Sequence, residues 1–210
     1  VLGIDPGGLG FSKESVGVIK STITPLLYIL PILSGAIADR YGYKKVLTFA
    51  FLVMSTGYFL TSLSTTYTFV FASLLLMVVG AGCFKPIISG TIARETNESN
   101  STLGFGIFYW SINLGAFIFP LLLVPYLKAI SWNYIFIMAA VGTGWLFFLN
   151  LFIYKEPARP AVAGKVSDML KNVVLVLKDI RFMSMILIYS GFWILYFRCS
   201  TPYYGILRNM

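Results

Sequence analysis

The sequence predicts an all-α integral membrane protein, and three observations carry that prediction. Apolar residues make up 58% of the 210 residues and charged residues only 11%, well below the quarter that is typical of soluble domains. Six stretches approach or exceed the ~20 apolar residues that a helix needs to cross a bilayer core about 30 Å thick. The basic residues fall mainly in connectors between these stretches. We therefore expect a bundle of about six transmembrane helices.

The six stretches have the length and pattern of helices. The strands of a membrane β-barrel would be about half as long and would alternate apolar and polar residues. Lipid cannot hydrogen-bond an exposed backbone, so each segment must satisfy its own groups as a helix. The stretches cover roughly residues 15–38, 46–63, 68–93, 103–127, 133–154 and 182–207.

The long connector at 155–181 divides the chain. It opens with Lys-Glu-Pro-Ala-Arg-Pro, which breaks a helix. Apolar residues then recur at helical spacing and predict an amphipathic helix on the membrane surface: Met169, Val173, Val174, Leu177 and Ile180. We predict a transmembrane bundle over 1–154, a cytoplasmic linker over 155–181, and the first helix of a second bundle over 182–210.

The basic residues predict the orientation. One set of loops carries ten of them: Arg40, Lys44, Lys45, Arg94, Lys155, Arg159, Lys165, Lys171, Lys178 and Arg181. The loops of the other side carry Lys13 and Lys128. Because cytoplasmic loops are enriched in Lys and Arg, the loops at 39–45, 94–102 and 155–181 should be cytoplasmic. The sequons at Asn97 and Asn100 would then escape glycosylation.

Several other classes of function are disfavoured. The net charge of +8 follows membrane topology and forms no basic face, so we expect no nucleic-acid partner. The two cysteines, Cys83 and Cys199, lie in apolar runs and suggest neither a disulfide framework nor a metal site. No acid–base pair, nucleophile motif or nucleotide-binding motif appears, so we expect no enzyme, no metal and no cofactor.

The turn at residues 34–45, Ser-Gly-Ala-Ile-Ala-Asp-Arg-Tyr-Gly-Tyr-Lys-Lys, joins the first two stretches. Its Asp39-Arg40 pair and basic residues resemble the loop between helices 2 and 3 of the major facilitator superfamily of transporters. In that superfamily the loop latches the two halves on the cytoplasmic side, which implies that role for Asp39, Arg40 and Gly42. Gly42 would allow the sharp turn. An ordinary topology-setting loop would explain Lys44 and Lys45, but explains the acid less well.

Lys85 is the sharpest signal for function. It sits within the third apolar stretch, where an ammonium costs about 2.5–3.5 kcal/mol even on lenient scales. Such a residue normally faces a watery cavity or an acidic partner, although snorkelling to the interface is the alternative. Pro86 follows it and would free backbone carbonyls beside the charge.

Two motifs together resemble the proton-dependent oligopeptide transporter family within that superfamily. They are Gly-Ala-Gly-Cys-Phe-Lys-Pro at 80–86 and Gly-Phe-Gly-Ile-Phe-Tyr-Trp-Ser-Ile-Asn-Leu-Gly-Ala at 104–116. The resemblance implies a twelve-helix parent, of which this chain would supply helices 2 to 7, helix 1 being absent. It also implies a peptide-binding site, with Lys85 meeting the carboxylate and taking part in proton coupling, and Asn113 and Tyr28 lining the pocket.

The residues themselves agree in part with such a pocket. Tyr109 and Asn113 are one helical turn apart and share a face. Lys20, Thr24 and Tyr28 form a second polar stripe. Amide and phenol groups can satisfy the donors and acceptors of a peptide. Ordinary packing or an interfacial aromatic belt remains the alternative for the aromatic residues.

The last segment, Gly-Phe-Trp-Ile-Leu-Tyr-Phe-Arg-Cys at 191–199, resembles helix 7 of that family. Trp193 fits the pattern and would join the substrate site. The family usually has Gln where this chain has Arg198, and often Glu where it has Phe197. Arg198 could therefore bind an acidic substrate or lie near the outer interface.

Proton coupling is implied by the resemblance alone. The chain has no His, and no acid lies deep in any predicted helix. The Glu-x-x-Glu-Arg motif that the family carries on helix 1 is absent. We expect a proton-driven transporter of di- and tripeptides in the cell membrane that works by alternating access. A superfamily transporter of another solute, such as an organic anion, nitrate, a sugar or a drug, and a non-transporting membrane receptor or scaffold are the alternatives.

Overall fold

A computed structural model describes residues 9–157, 175 and 177–206, with the side chains of the last helix described up to residue 195. All regular structure in these residues is helical. The helices are α1 (Lys13–Tyr41), α2 (Tyr43–Leu63), α3 (Tyr67–Glu95), α4 (Ser101–Ile118), α5 (Val124–Ile130), α6 (Trp132–Phe152) and α7 (Ile180–Ile206).

The predicted membrane-spanning helices are confirmed. Five segments are long and apolar enough to cross a membrane: α1, α2, α3, the continuous segment Ser101–Ile130, and α6. A sixth apolar helix runs over Ile180–Leu195, within α7. The predicted amphipathic helix of the linker lies mostly outside the described residues.

The fourth span contains an irregularity that the sequence analysis did not predict. Between α4 and α5, the segment Phe119–Leu123 is a π-helical turn, and the Val124 N–H that follows it donates to the Phe119 carbonyl. Pro120 and Pro125 explain this widening. Proline has no N–H for the α-helical ladder, and its ring clashes with the carbonyl four residues back.

The turn between α1 and α2 is a single residue. Gly42 has φ 103°, which side chains with a Cβ rarely adopt. Its N–H donates to the Ala38 carbonyl at 2.9 Å and ends α1. The chain enters α2 directly afterwards. Gly42 is therefore needed for its conformation, as predicted.

Close helix packing builds the first part of the chain. α3 packs against α1 and α2, and α2 also packs against α6. A core cluster where α1, α2 and α3 meet consists of buried residues: Ala38, Tyr43, Val46, Leu47, Phe51 and Ile87. Polar side chains link the helices, as in many membrane bundles: the half-buried Ser55 hydroxyl donates to the Ala140 carbonyl at 2.8 Å, and the buried Asn150 amide donates to Thr48 Oγ1 at 2.7 Å.

α4 differs from its neighbours because none of its residues is buried within this chain. It touches α3 near the α3–α4 loop and continues into the π turn and α5. The chain divides into two compact units, Val1–Ala163 and Gly164–Met210. α1 to α6 belong to the first unit and α7 to the second.

Candidate functional site

Lys85 lies on an exposed face of α3, deep within an apolar helix. At 1.5 Å per residue it stands about 15 Å before the helix end at Glu95, and half of a bilayer core is about as thick. Among the described residues, no carboxylate forms an ion pair with it. Because an ammonium facing hydrocarbon at this depth is costly, the position favours a water-filled cavity or a polar partner.

The helix turn beside Lys85 is held against α1. Pro86 has no N–H to donate to the Gly82 carbonyl one turn back. The buried Ser34 hydroxyl of α1 lies 3.0 Å from that oxygen and donates to it. A Cβ on Gly82 would meet Leu30 at 2.5 Å, so glycine permits this close approach. The carbonyl that Pro86 frees is thus already satisfied within the bundle.

On α1, the predicted pocket residues are all exposed. Tyr28 exposes 75% of its surface although it is a large aromatic residue in an apolar helix. Thr24 and Lys20, one and two turns earlier, are exposed as well. The polar stripe predicted from the sequence is therefore available to a cavity.

On α4, Tyr109 and Asn113 form a connected pair. The Asn113 amide nitrogen donates to the Tyr109 carbonyl at 2.8 Å. This bond orients the side chain so that its oxygen remains as an acceptor, which suits a donor group such as an ammonium or a peptide N–H. Tyr109 is 56% exposed and Trp110 is 65% exposed.

Lys85, Tyr28 and the Tyr109–Asn113 pair stand on three different helices of one unit. Among the described residues, no hydrogen bond links Lys85 to Tyr28, Tyr109 or Asn113. A ligand or water would have to bridge them. The structure thus presents the predicted residues on exposed faces and leaves their roles as predictions.

The residues predicted on α7 belong to the second unit. Trp193 packs edge-on against Tyr189, with ring centroids 6.2 Å apart, and against Phe192 at 5.8 Å. It remains 39% exposed. The side chain of Arg198 lies outside the described part of the chain.

Asp39 is part of an ordered cluster at one end of the bundle. Arg94 of α3 donates to Asp39 Oδ1 at 2.7 Å, and the Tyr43 hydroxyl donates to the same oxygen at 2.9 Å. The Arg94 guanidinium also lies over the Tyr43 ring, 4.3 Å from its centroid. Arg40, which the sequence placed in the latch, is exposed and lies beside the Tyr41 ring.

Glu156 completes this end of the bundle from the chain segment after α6. Its two carboxylate oxygens accept from the backbone N–H groups of Tyr43 at 2.7 Å and of Lys44 at 2.8 Å. Gly42 supplies no side chain to cap α2, so Glu156 satisfies the free N–H groups and the positive helix end. Nearby, the Tyr154 hydroxyl lies 2.7 Å from Thr91 Oγ1, and burial raises the pKa of Tyr154.

These contacts bring the turn at 39–45, the end of α3 and residues 155–157 to the same end of the bundle. This agrees with the predicted grouping of the three basic loops on one side. Which face of the membrane that end occupies remains a prediction.

Comparison with known families identifies the chain. The model of the Major Facilitator Superfamily matches residues 6–207. The chain belongs to the major facilitator superfamily.

Among individual superfamily members, peptide transporters are similar to the chain. A di-/tripeptide transporter of Lactococcus lactis subsp. cremoris is 26% identical over 82% of this chain. A peptide transporter of Yersinia enterocolitica is 28% identical over 74% of it. These matches cover 37% and 31% of those proteins, so the chain spans well under half of their length.

A solved structure of a POT peptide transporter in complex with sulfate resembles the fold with a TM-score of 0.68. It is 26% identical, and the match covers 90% of this chain and 39% of that one. The resemblance to oligopeptide transporters that the two motifs predicted is therefore confirmed.

Arg94, Glu156 and Tyr43 are important residues of this superfamily bundle that the sequence analysis did not assign. Arg94 was interpreted only as a marker of topology, because basic residues at helix ends are common. Glu156 stands in the helix-breaking segment after the fifth span, 113 residues after its partner Tyr43. One signal in the sequence could have indicated Glu156. Gly42 has no side chain to cap the start of α2, so a carboxylate from elsewhere in the chain is needed there.

Proposed function

We propose that the protein containing this chain is a secondary active transporter of di- and tripeptides, driven by a proton gradient and working by alternating access. The observation that carries the proposal is Lys85: a basic residue at mid-membrane depth, exposed, without a described carboxylate partner, and inside a motif shared with oligopeptide transporters. It would bind the peptide carboxylate by a charge-assisted hydrogen bond.

The neighbouring exposed groups support a peptide as the ligand. Asn113 offers its side-chain oxygen, because its nitrogen is bonded to Tyr109. Tyr28 offers a phenol that can donate or accept. A peptide would fit these groups because it carries a carboxylate for Lys85 and N–H donors for Asn113. Transport would involve no covalent chemistry and no resident cofactor.

The proton is the proposed coupling ion. Within the described helices, the charged residues that lie more than one helical turn from a helix end are Lys20, Lys85 and Arg198, and all are basic. A carboxylate that carries the proton would have to come from outside these helices. Lys85 could take part because its charge is at the site where the substrate binds.

The test replaces Lys85 in the intact protein. Lys85→Gln should abolish concentrative uptake of a radiolabelled dipeptide into proteoliposomes with an imposed proton gradient, while Lys13→Gln, at the start of α1, should leave it unchanged. Dipeptide binding should be measured alongside. Wild-type concentrative uptake by Lys85→Gln would contradict the proposed role of Lys85.

Two further results would separate the roles of this residue. Loss of accumulation with retained exchange of peptide would assign Lys85 to proton coupling. Loss of binding as well would favour carboxylate recognition. Absence of saturable dipeptide uptake by the unmodified protein would overturn the proposed substrate.

A small organic anion is the second candidate substrate. The basic character of Lys20 and Lys85, with no acid among the deep residues of the described helices, favours a ligand with net negative charge. Competition of dipeptide uptake by acidic, neutral and basic dipeptides and by simple dicarboxylates would discriminate. Inhibition by dicarboxylates without inhibition by neutral dipeptides would favour the anion.

A further inference from the structure

Two carboxylates at the bundle end that contains Asp39 are bound within the protein. Asp39 is bound by Arg94 and Tyr43, and Glu156 is bound by two backbone N–H groups at the start of α2. These two acids therefore neutralise an internal guanidinium and a helix end. They are not available to neutralise the basic residues around them.

Four basic residues at this end form a basic patch: Arg40, Lys44, Lys45 and Lys155. Arg40 is in the last turn of α1, and the two lysines begin α2 one residue after the Gly42 turn. Lys155 precedes Glu156, whose carboxylate contacts the backbone of Lys44. Among the described residues, none of the four forms an ion pair.

The surface next to the basic patch is apolar. One face of α2 carries three exposed residues at helical spacing: Lys45, Phe49 and Leu52. Phe152 and Ile153, at the end of α6, are exposed too. Both helices are long and apolar enough to span a membrane. Their apolar faces therefore run from the charged end toward the hydrocarbon.

We propose that the basic patch binds the phosphate headgroup of an anionic phospholipid, whose acyl chains lie along Phe49, Leu52 and Phe152. Charge complementarity supplies the headgroup site, because four cations stand at this end against the two exposed acids Glu95 and Glu98, while Asp39 and Glu156 are bound within the protein. The adjoining apolar face favours a lipid over free phosphate, which would leave that face without a ligand. Tyr41, beside Arg40, suits the polar–apolar boundary.

A lipid-binding assay on the intact protein tests the proposal. Delipidated protein in detergent is titrated with dioleoyl phosphatidylglycerol or dioleoyl phosphatidylcholine, which share acyl chains, and binding is followed by native mass spectrometry. We expect tighter binding of phosphatidylglycerol. Each basic residue near a headgroup contributes about fivefold, so Arg40→Gln/Lys45→Gln/Lys155→Gln should weaken that binding on the order of 100-fold.

Controls make the result specific. Lys13→Gln/Lys128→Gln removes two charges from the other end of the helices and should not change the affinity. The single variants Lys45→Gln and Lys155→Gln should each lose about fivefold, which keeps the test valid if the triple variant does not fold. Inorganic phosphate at millimolar concentration should not displace the lipid.

Three outcomes would overturn the proposal. They are equal binding of the two lipids, unchanged affinity in the triple and single variants, and complete displacement by inorganic phosphate. The last would identify a site for a free anion. None of these outcomes bears on peptide transport, which is measured separately with Lys85→Gln.

Discussion

The Asp39 carboxylate receives hydrogen bonds from two helices at once. Its charge is compensated by Arg94 of α3, and the Tyr43 hydroxyl of α2 fixes the same oxygen. The sequence analysis assigned Asp39 to a loop that latches the two halves of a transporter. Within the described residues, its partner is a base of its own bundle, and the helix N-terminus is capped by Glu156.

The Asp39–Arg94 pair should contribute measurably to the stability of the first unit. The two side chains expose 34% and 24% of their surface, so the pair is screened less than a surface ion pair but is not fully buried. We expect a coupling free energy of about 1 kcal/mol in a double-mutant cycle of Asp39→Asn and Arg94→Gln. Chemical unfolding in detergent micelles measures it.

Arg40→Gln is the matched control for that cycle. It removes a neighbouring charge that has no described acidic partner, so it should change the unfolding free energy little. A coupling energy near zero between Asp39 and Arg94, or an equal loss in Arg40→Gln, would contradict a specific role for the pair.

At this scale the sequence predicted residues whose chemistry conflicts with their surroundings. Lys85 was evident because a charge within an apolar run is costly, and Gly42 because a sharp turn between two apolar stretches favours glycine. Arg94 and Glu156 were missed because charged residues at helix ends are unremarkable in sequence. Their roles depend on partners 55 and 113 residues away, which only the folded bundle brings together.

At the scale of elements, hydropathy predicted every span but not its internal irregularities. The need to satisfy the backbone within lipid makes the helices almost obligatory. The π turn at Phe119–Leu123 depends on how two prolines shift the local hydrogen bonds. Close contacts between helices depend on particular glycines, and the sequence does not show which of them lie against the backbone of a neighbouring helix.

Gly57 of α2 lies against the backbone of α3, and this contact predicts the effect of a substitution on stability. A Cβ at Gly57 would lie 2.6 Å from the Met77 backbone nitrogen and 2.8 Å from its Cα. Backbone atoms cannot turn aside as a side chain can, so Gly57→Ala must push α2 and α3 apart. We expect a loss of about 1–3 kcal/mol, measured by unfolding in detergent.

Gly142→Ala in α6 controls for the change of residue type. Nothing lies within 4 Å of the added Cβ, so alanine should be neutral or should stabilise by about 0.4–1 kcal/mol through lower chain entropy. Gly57→Ala with wild-type stability would show that the two helices separate at no cost, contrary to the tight packing described here.

At the scale of the whole molecule, the distribution of basic residues predicts which end of the bundle is cytoplasmic. Single cysteines placed at residues 45, 99 and 155 should be shielded from an impermeant thiol reagent in intact cells and should react after permeabilisation. A cysteine at residue 13 should react in intact cells. Free labelling at residue 99 in intact cells would reverse the orientation.

The last prediction concerns transport by the chain alone. Alternating access needs two bundles that move against each other around a shared site. The first unit contains five spans, and α7 is a single further helix. The chain also covers only 37% of its Lactococcus lactis relative. On α1, α3 and α4, Tyr28, Lys85, Tyr109 and Asn113 are exposed within it.

Without an opposing wall, these polar groups would face lipid or detergent, and the ammonium of Lys85 would be especially costly. The 210-residue chain, purified and reconstituted alone, should therefore show no saturable dipeptide flux and should be less stable than the longer parent protein or should self-associate. Flux assays in liposomes and size-exclusion chromatography measure both properties. Saturable flux from the isolated chain would mean that these helices form a complete transport pathway by themselves.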